Sequence, residues 1–301
     1  MINNNSDVAN IEYTIKRTPG SPLSVYNRDD IVVAEIHEHG QPFQESDFEL
    51  LADDAGAYFA SCAFRDSRPE YLVLSTCALE YKLDELIKSQ PTDTFVHDLR
   101  SLYTGVLCAC LYLRAKASAG DKYDETVVAT RAHDIITWLD TTDFFSAPAS
   151  TKYHESFSGG LPLHSLRVAC NIIKLAEVST FHNVELHSAV LCALIHDWCK
   201  INKYEEFQRN VKNDTTGKWE SVTSFRYRDN IMIPLGHGEA SMFLGMKMFK
   251  LTLEEVLAIR HHMGAWAEQG SYNINDLQYA NENYPLVLLL QFADQLACVK
   301  Y

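Results

Sequence analysis

The spacing of apolar residues changes character part-way along the chain. The first dozen residues are polar and carry no pattern. Tyr13 to Arg17 and Ile31 to Ile36 are short β-rich runs and read as strands. In Ser46-Asp-Phe-Glu49 the serine can cap a helix and the glutamate can reach back. Phe48, Leu51, Ala55, Tyr58, Phe59 and Cys62 then recur at helical spacing. Tyr71 to Ser75 reads as a further strand. Leu99, Leu102, Val106, Cys110 and Leu113 predict a helix over 94–117, and Val128, Ile135, Ile136 and Leu139 predict another over 124–140.

The turn-rich stretch Phe145-Ser-Ala-Pro-Ala-Ser150 marks a boundary. Beyond it the pattern is helical over 160–178, 184–200, 237–249, 252–263 and 284–299. Between the second and third of these, Val211 to Ile233 holds two short strand-like runs around Asn213-Asp-Thr-Thr-Gly-Lys218, a β-hairpin inserted into a helical domain. The expected fold is mainly α: an all-helical domain over 148–301 with that inserted hairpin, preceded by a smaller α+β region over 1–147. No repeat or low-complexity tract interrupts it.

Composition narrows the class. With 47% apolar and 22% charged residues over 301 positions, the chain reads as globular rather than disordered or fibrous. The longest apolar run, Leu102 to Leu113, contains Thr104 and lies between Arg100 and Arg114, so it reads as a buried helix and not a membrane span. The N-terminal residues lack the basic-then-apolar pattern of a secretory signal. Eight cysteines (Cys62, Cys77, Cys108, Cys110, Cys170, Cys192, Cys199 and Cys298) occur without CxxC pairs, mostly in apolar surroundings, and read as reduced, buried thiols of a cytoplasmic protein. The net charge is -14, and residues 1–147 hold 24 Asp/Glu against 12 Lys/Arg. That balance disfavours duplex nucleic acid as a partner. Between Lys200 and Arg228, seven basic residues face four acidic ones, a segment suited either to a phosphate or to solvent. Self-association into a homo-oligomer is left open.

The candidate chemistry lies in the histidines, eight of which follow residue 150. His196-Asp197 closes the run Ala189-Val-Leu-Cys-Ala-Leu-Ile195, which is apolar on nearly every side. Burying an imidazole and a carboxylate there is costly without a partner, and a cation is one. Adjacent helical residues point about 100° apart, so the two side chains share a metal only near a helix end. His164 follows Gly159-Gly-Leu-Pro-Leu163, and Asp294 is the one carboxylate of a nearly uncharged helix. His237 and His261-His262 each lie beside glycines near helix ends. Each histidine alone is more often structural. Together, histidines and two aspartates from five successive helices supply enough N and O donors for two divalent ions.

The order His164, His196-Asp197, Asp294 resembles the HD superfamily of metal-dependent phosphohydrolases, over about residues 145–300. Pro148-Ala-Ser-x-x-Tyr-His154 through Gly159-Gly-Leu-x-x-His164 is similar to the start of HD domains in bacterial 3'-to-5' exoribonucleases and relaxase-associated helicases. His-Asp-x-x-Lys200 resembles the superfamily at large, and Asp197-Trp-Cys-Lys-Ile-Asn-Lys-Tyr204, Gly236-His-Gly-Glu239 and Ala258-Ile-Arg-His-His-Met-Gly264 resemble bacterial and phage HD hydrolases. The first 140 or so residues do not resemble the OB-fold that precedes the HD domain in those exoribonucleases, so the likeness does not extend to an RNA substrate.

The resemblance implies that His164, His196, Asp197 and Asp294 hold one divalent ion. Asp197 would bridge to a second, completed by His237 and by His262 in preference to His261. One or two ions of Mn, Mg, Fe, Zn or Ni are expected. Lys200 is expected to neutralise a non-bridging phosphoryl oxygen, and Glu239 or His261 to orient a ligand or protonate the leaving group. The substrate expected is a phosphate ester, a small nucleotide or short oligonucleotide. Relatives such as inositol oxygenase place a di-iron pair on the same fold and activate oxygen, and a nucleotide-binding sensor is a third outcome.

Overall fold

The computed structural model describes residues 94–119, 122–176, 183–229, 233–266 and 273–299, with residues 79, 83–84, 86–88 and 181, and three strands as backbone. Those strands, β1 (Thr14–Arg17), β2 (Leu23–Tyr26) and β3 (Val32–Ile36), form an antiparallel sheet in the order β1-β2-β3. β1 and β3 fall on the two predicted runs. β2 was not predicted, because four residues directly after Pro22, one of them Ser24, are too short a run to read as a strand. The helix expected from Ser46 and the strand expected at Tyr71–Ser75 lie outside the described residues.

The remaining elements are α1 (Phe95–Ala119), α2 (Glu125–Asp140), α3 (Gly160–Ala176), α4 (Leu186–Ile195), the hairpin β4 (Tyr204–Lys212) and β5 (Trp219–Tyr227), α5 (His237–Met248), α6 (Leu253–His261), α7 (Ile274–Asn283) and α8 (Pro285–Cys298). The fold is mainly helical with an inserted antiparallel hairpin, as the pattern predicts. α4 is the centre. It packs against α1, α3, α6 and α8, and every residue from Ala189 to Ile195 is fully buried. A helix apolar on all sides has no face to give to water, which is why four others surround it. One apolar cluster runs through α1, α2, α3, α4, α6 and α8, and Phe144, Phe145 and Ala147 carry it across the turn-rich segment. The helices before residue 147 therefore belong to the body that carries the candidate site.

The ends of the elements have local causes. Thr252 and Glu255 form a reciprocal capping box at the start of α6, with Thr252 N donating to Glu255 at 2.7 Å and Glu255 N donating to Thr252 Oγ1 at 3.3 Å. Asn273 caps α7, and Pro285 opens α8, where its missing N–H is not needed. α7 was not predicted; of its ten residues only Leu277 and Ala280 are buried, so no apolar stripe announces it.

The hairpin differs in extent from the expected 211–233. Its strands start at Tyr204 and end at Tyr227, paired from Tyr204↔Tyr227 out to Lys212↔Trp219. The charges of β4 mask it as a strand, but the register sets Glu205 opposite Arg226, and the two pair at 2.6 Å. The turn is as predicted: Asn213 Oδ1 accepts from Thr215 N and Thr216 N, and Gly217 takes the left-handed conformation at φ 68°. Among the described residues no helix is long and apolar enough to cross a membrane, and the six described cysteines are free thiols.

Candidate metal centre

The helix predicted over 184–200 is interrupted where the chemistry needs it. α4 ends at Ile195 with His196 as its C-cap, and Asp197 leaves the helical region at φ -107°, ψ 16° before a 3-10 turn over Trp198–Lys200. The break turns the Asp197 side chain toward the same space as His196. Tyr103 of α1 supports this junction, donating its hydroxyl hydrogen to Leu194 O at 2.8 Å and accepting from Trp198 Nε1 at 3.3 Å.

His164 arrives from α3, whose start is fixed by a tight loop. Gly159 has φ 86°, and a Cβ on Gly160 would stand 2.0 Å from the Glu155 carbonyl oxygen, so only glycine allows that approach. The loop brings Glu155 against His164, with Oε2 3.6 Å from Nδ1, and Arg167 pairs with the same carboxylate. On its other edge His164 Nε2 lies 3.0 Å from Asp294 Oδ1 of α8 and 3.6 Å from Asp197 Oδ2.

His237 and His262 complete the group. His237 opens α5 and places Nε2 2.8 Å from Asp197 Oδ1, with Cys199 Sγ 3.3 Å from its Nδ1. His262, the C-cap of α6, has Nε2 3.7 Å from Asp197 Oδ1. His196 Nε2 lies 3.5 Å from Asp197 Oδ2 and 3.8 Å from Asp294 Oδ1. Thus His164, His196, Asp197, His237, His262 and Asp294 converge from α3, the end of α4, α5, α6 and α8.

Two of these rings show what is missing from their surroundings. His196 Nδ1 donates to Ala193 O at 2.7 Å and His262 Nδ1 donates to Ile259 O at 2.6 Å, which leaves the lone pair of each ring on Nε2. Both Nε2 atoms are buried and have no hydrogen-bond partner. An unsatisfied buried acceptor costs about 1–3 kcal/mol. Two such acceptors aimed at a pair of carboxylates are what a divalent cation satisfies, so the residues present fit the ion.

Three-way proximity supports the same reading. Donor atoms of His164, His196 and Asp294 lie within 4.8 Å of one another, as do those of His196, Asp197 and His262, and those of Asp197, Cys199 and His237. The residues shared between groups make one continuous centre.

The charges follow from burial and pairing. Burial alone favours a neutral His164, but the hydrogen bond to Asp294 and the nearby carboxylates of Glu155 and Asp197 outweigh it and lift the imidazole to about 9. His196 is dominated by burial and falls to about 3. Burial also opposes charge on His237, yet Cys199 and Asp197 raise it to about 10. Asp197 is pushed up by burial and pulled further down by Lys200, His196 and His237, ending well below the usual carboxylate range. Lys200 donates to Asp197 Oδ2 at 2.6 Å, a contact that overcomes burial and keeps the buried ammonium charged.

A cavity of about 450 Å³ opens onto the centre, lined by Asp197, Lys200, Lys203, His237, His262 and Asp294, with aromatic residues on its walls. Glu239 is not brought here. Its carboxylate pairs with Arg260 Nε at 3.2 Å and lies outside the cavity lining, because it sits two residues past His237 on a different side of α5. His261 is buried but belongs to none of the donor groups among the described residues. Sequence reasoning missed Glu155, Cys199, His154 and Cys298. His154 stacks near His164 at 4.7 Å between ring centroids, and its Nε2 is 3.8 Å from Cys298 Sγ. Tyr153-His154 and Asp197-Trp-Cys199 were visible signals; loop placement and the expectation of inert thiols hid them.

The family model described as the HD domain matches residues 163–298, a span that holds all six converging residues. This segment is an HD domain. HD domains are typically metal-dependent hydrolases, and His164, His196-Asp197 and Asp294 stand in this one with the donor chemistry such a hydrolase needs. No curated protein and no solved structure gives a significant match to the chain.

Proposed function

We propose that the protein is a metal-dependent phosphohydrolase acting on a phosphate ester, a small nucleotide or short oligonucleotide. The observation that carries this reading is the pair of partnerless, buried imidazole nitrogens of His196 and His262 aimed at Asp197, within an HD domain. His164, His196, Asp197 and Asp294 would hold one ion. His237 and His262 would hold a second, with Asp197 between them. When bound, divalent ions supply Lewis acidity and make water acidic enough to attack near neutral pH.

The chain's own groups do the rest. His164 is fixed between Glu155 and Asp294, which sets which ring nitrogen faces the centre. Lys200 and Lys203 line the cavity and place positive charge where a phosphate must enter. Water oxygen bonds to phosphorus, the ester P–O bond breaks, and the leaving oxygen takes up a proton.

Metal analysis of the purified protein, followed by a phosphate-release screen over nucleotides with Mn²⁺ under anaerobic conditions, tests this. Metal-dependent phosphate release that vanishes in Asp197→Ala is the expected result. Full turnover with stoichiometric metal in that variant would overturn the ligand arrangement. A product formed only in the presence of oxygen would overturn the hydrolytic chemistry.

A further inference from the structure

The cavity that opens onto the metal centre has walls unlike its floor. Trp266, Tyr153 and Tyr227 line it and are 78%, 77% and 58% exposed, whereas Tyr204 beside them is buried. They come from three separate places: the 3-10 turn after α6, the loop before α3, and the base of the hairpin. Exposed large aromatics scattered singly need no explanation, but three on the walls of one cavity do. Tyr227 is also held in place. It sits directly opposite Tyr204 in the hairpin register, with ring centroids 5.2 Å apart, and Lys203 Nζ lies 5.6 Å from its ring centroid.

We propose that Trp266, Tyr153 and Tyr227 select a phosphate ester that carries a flat aromatic ring, a nucleobase, by stacking on its faces while the phosphate occupies the metal centre. The placement of the phosphate rests on the phosphohydrolase reading; the ring site does not. Rings offer every base the same kind of face, so selection is for the presence of a base and tolerates its identity. The two lysines on the same cavity, Lys200 and Lys203, supply the charge for the phosphate end of such a ligand.

Two measurements test the proposal. In the first, kcat/KM is compared for adenosine 5'-monophosphate and ribose 5-phosphate, which share a phosphate and a sugar but differ in the base. Trp266→Ala and Tyr227→Ala are each expected to lower the ratio of the two by about tenfold, carried by KM, with Trp266→Phe restoring it. An unchanged ratio overturns the assignment. In the second, tryptophan fluorescence is titrated with adenosine, which has no phosphate, in a Trp219→Phe background, and again with Trp266→Phe added, whose loss of the signal assigns it to Trp266. Trp219 stands at the far end of the hairpin, Trp198 is buried and Trp138 partly buried. Saturable quenching that weakens about tenfold in Tyr227→Ala is expected, and its absence overturns the proposal. Should no ester be hydrolysed with any metal, adenosine quenching still decides the ring site, and only the hydrolytic reading fails.

Discussion

Gly238→Ala isolates the contact on which two of the metal-centre imidazoles ride. α5 and α6 meet where Gly238 faces the last turn of α6, and a Cβ at that position would stand 2.0 Å from the Arg260 carbonyl oxygen and 3.0 Å from Arg260 Cα. Real contacts of this kind do not fall under 3.0 Å, so one helix must retreat by about 1 Å. His237 is the neighbour of Gly238, and His262 lies two residues past Arg260, so the retreat separates both rings from Asp197. Overpacking of this kind costs about 1–3 kcal/mol. The better helix propensity of alanine offsets about 1 kcal/mol of it. The net loss of stability is therefore expected to be small, on the order of 1 kcal/mol. Metal affinity and turnover are expected to fall about 10–100-fold, because ligands displaced by 1 Å no longer share a centre. Titration calorimetry with Mn²⁺, urea unfolding and phosphate release measure the three quantities. Gly245→Ala on the same helix is the control: its Cβ would meet the side-chain tip of Ile195 at 3.1 Å, which can yield, and no ligand moves. A Gly238→Ala protein that binds metal and turns over within about twofold of the parent would refute the reasoning.

Three further outcomes follow from the same packing. Tyr103→Phe leaves Leu194 O and Trp198 Nε1 without their shared partner and is expected to destabilise by about 1–3 kcal/mol in urea unfolding; an unchanged midpoint would count against that role. Arg114→Met strands the fully buried carboxylate of Glu255 and should cost about 3–5 kcal/mol at neutral pH. Burial raises Glu255, but Arg114 and the Thr252 amide more than offset it and hold its pKa low, so its contribution is present above about pH 4.3 and is lost as pH falls through the lower folded value. In Arg114→Met burial is opposed only by the hydrogen bonds from Thr252 and Ser188, so the folded pKa rises and the pH dependence should flatten or reverse; a curve as steep as the parent's would sink the idea. Finally, hydrogen bonds and charge lift His164 to about 9 and His237 to about 10 without a cation, so a binding ion must displace their protons. Metal affinity should rise with pH up to that range, by up to about tenfold per unit for each proton released, and calorimetry in buffers of different ionisation enthalpy counts the protons; a flat profile between about pH 6 and 8 would contradict the assignment.

Part of the candidate centre could be read from the chain because His196-Asp197 and Asp294 interrupt apolar runs. His196-Asp197 ends a wholly buried helix, and Asp294 lies among buried leucines, so the expense of hiding them is visible in their neighbours. What the chain did not show was set by tertiary contacts. The bend at Asp197 arises where α4 meets Trp198 and Tyr103 from elsewhere, and periodicity carried the helix straight through it. Glu239 looked suitable because it follows Gly236-His237-Gly238, but the helix rotates it toward Arg260. Glu155 was overlooked because nothing local marks a loop residue that a glycine five positions on allows to reach His164. The hairpin was found by its turn and mismeasured by its strands, since the ion pairing that makes charged β4 acceptable exists only across the register.

The continuity of the apolar cluster across residues 145–150 has a practical consequence for anyone who trims the chain. The HD-domain match begins at residue 163, yet the hydroxyl that props the end of α4 belongs to Tyr103, and Leu99, Leu102, Leu107 and Cys110 of α1 close the same interior. A fragment starting at residue 148 would expose the back of α4 to water and is expected to aggregate or resist expression. The HD segment, in other words, shares its interior with the helices that precede it.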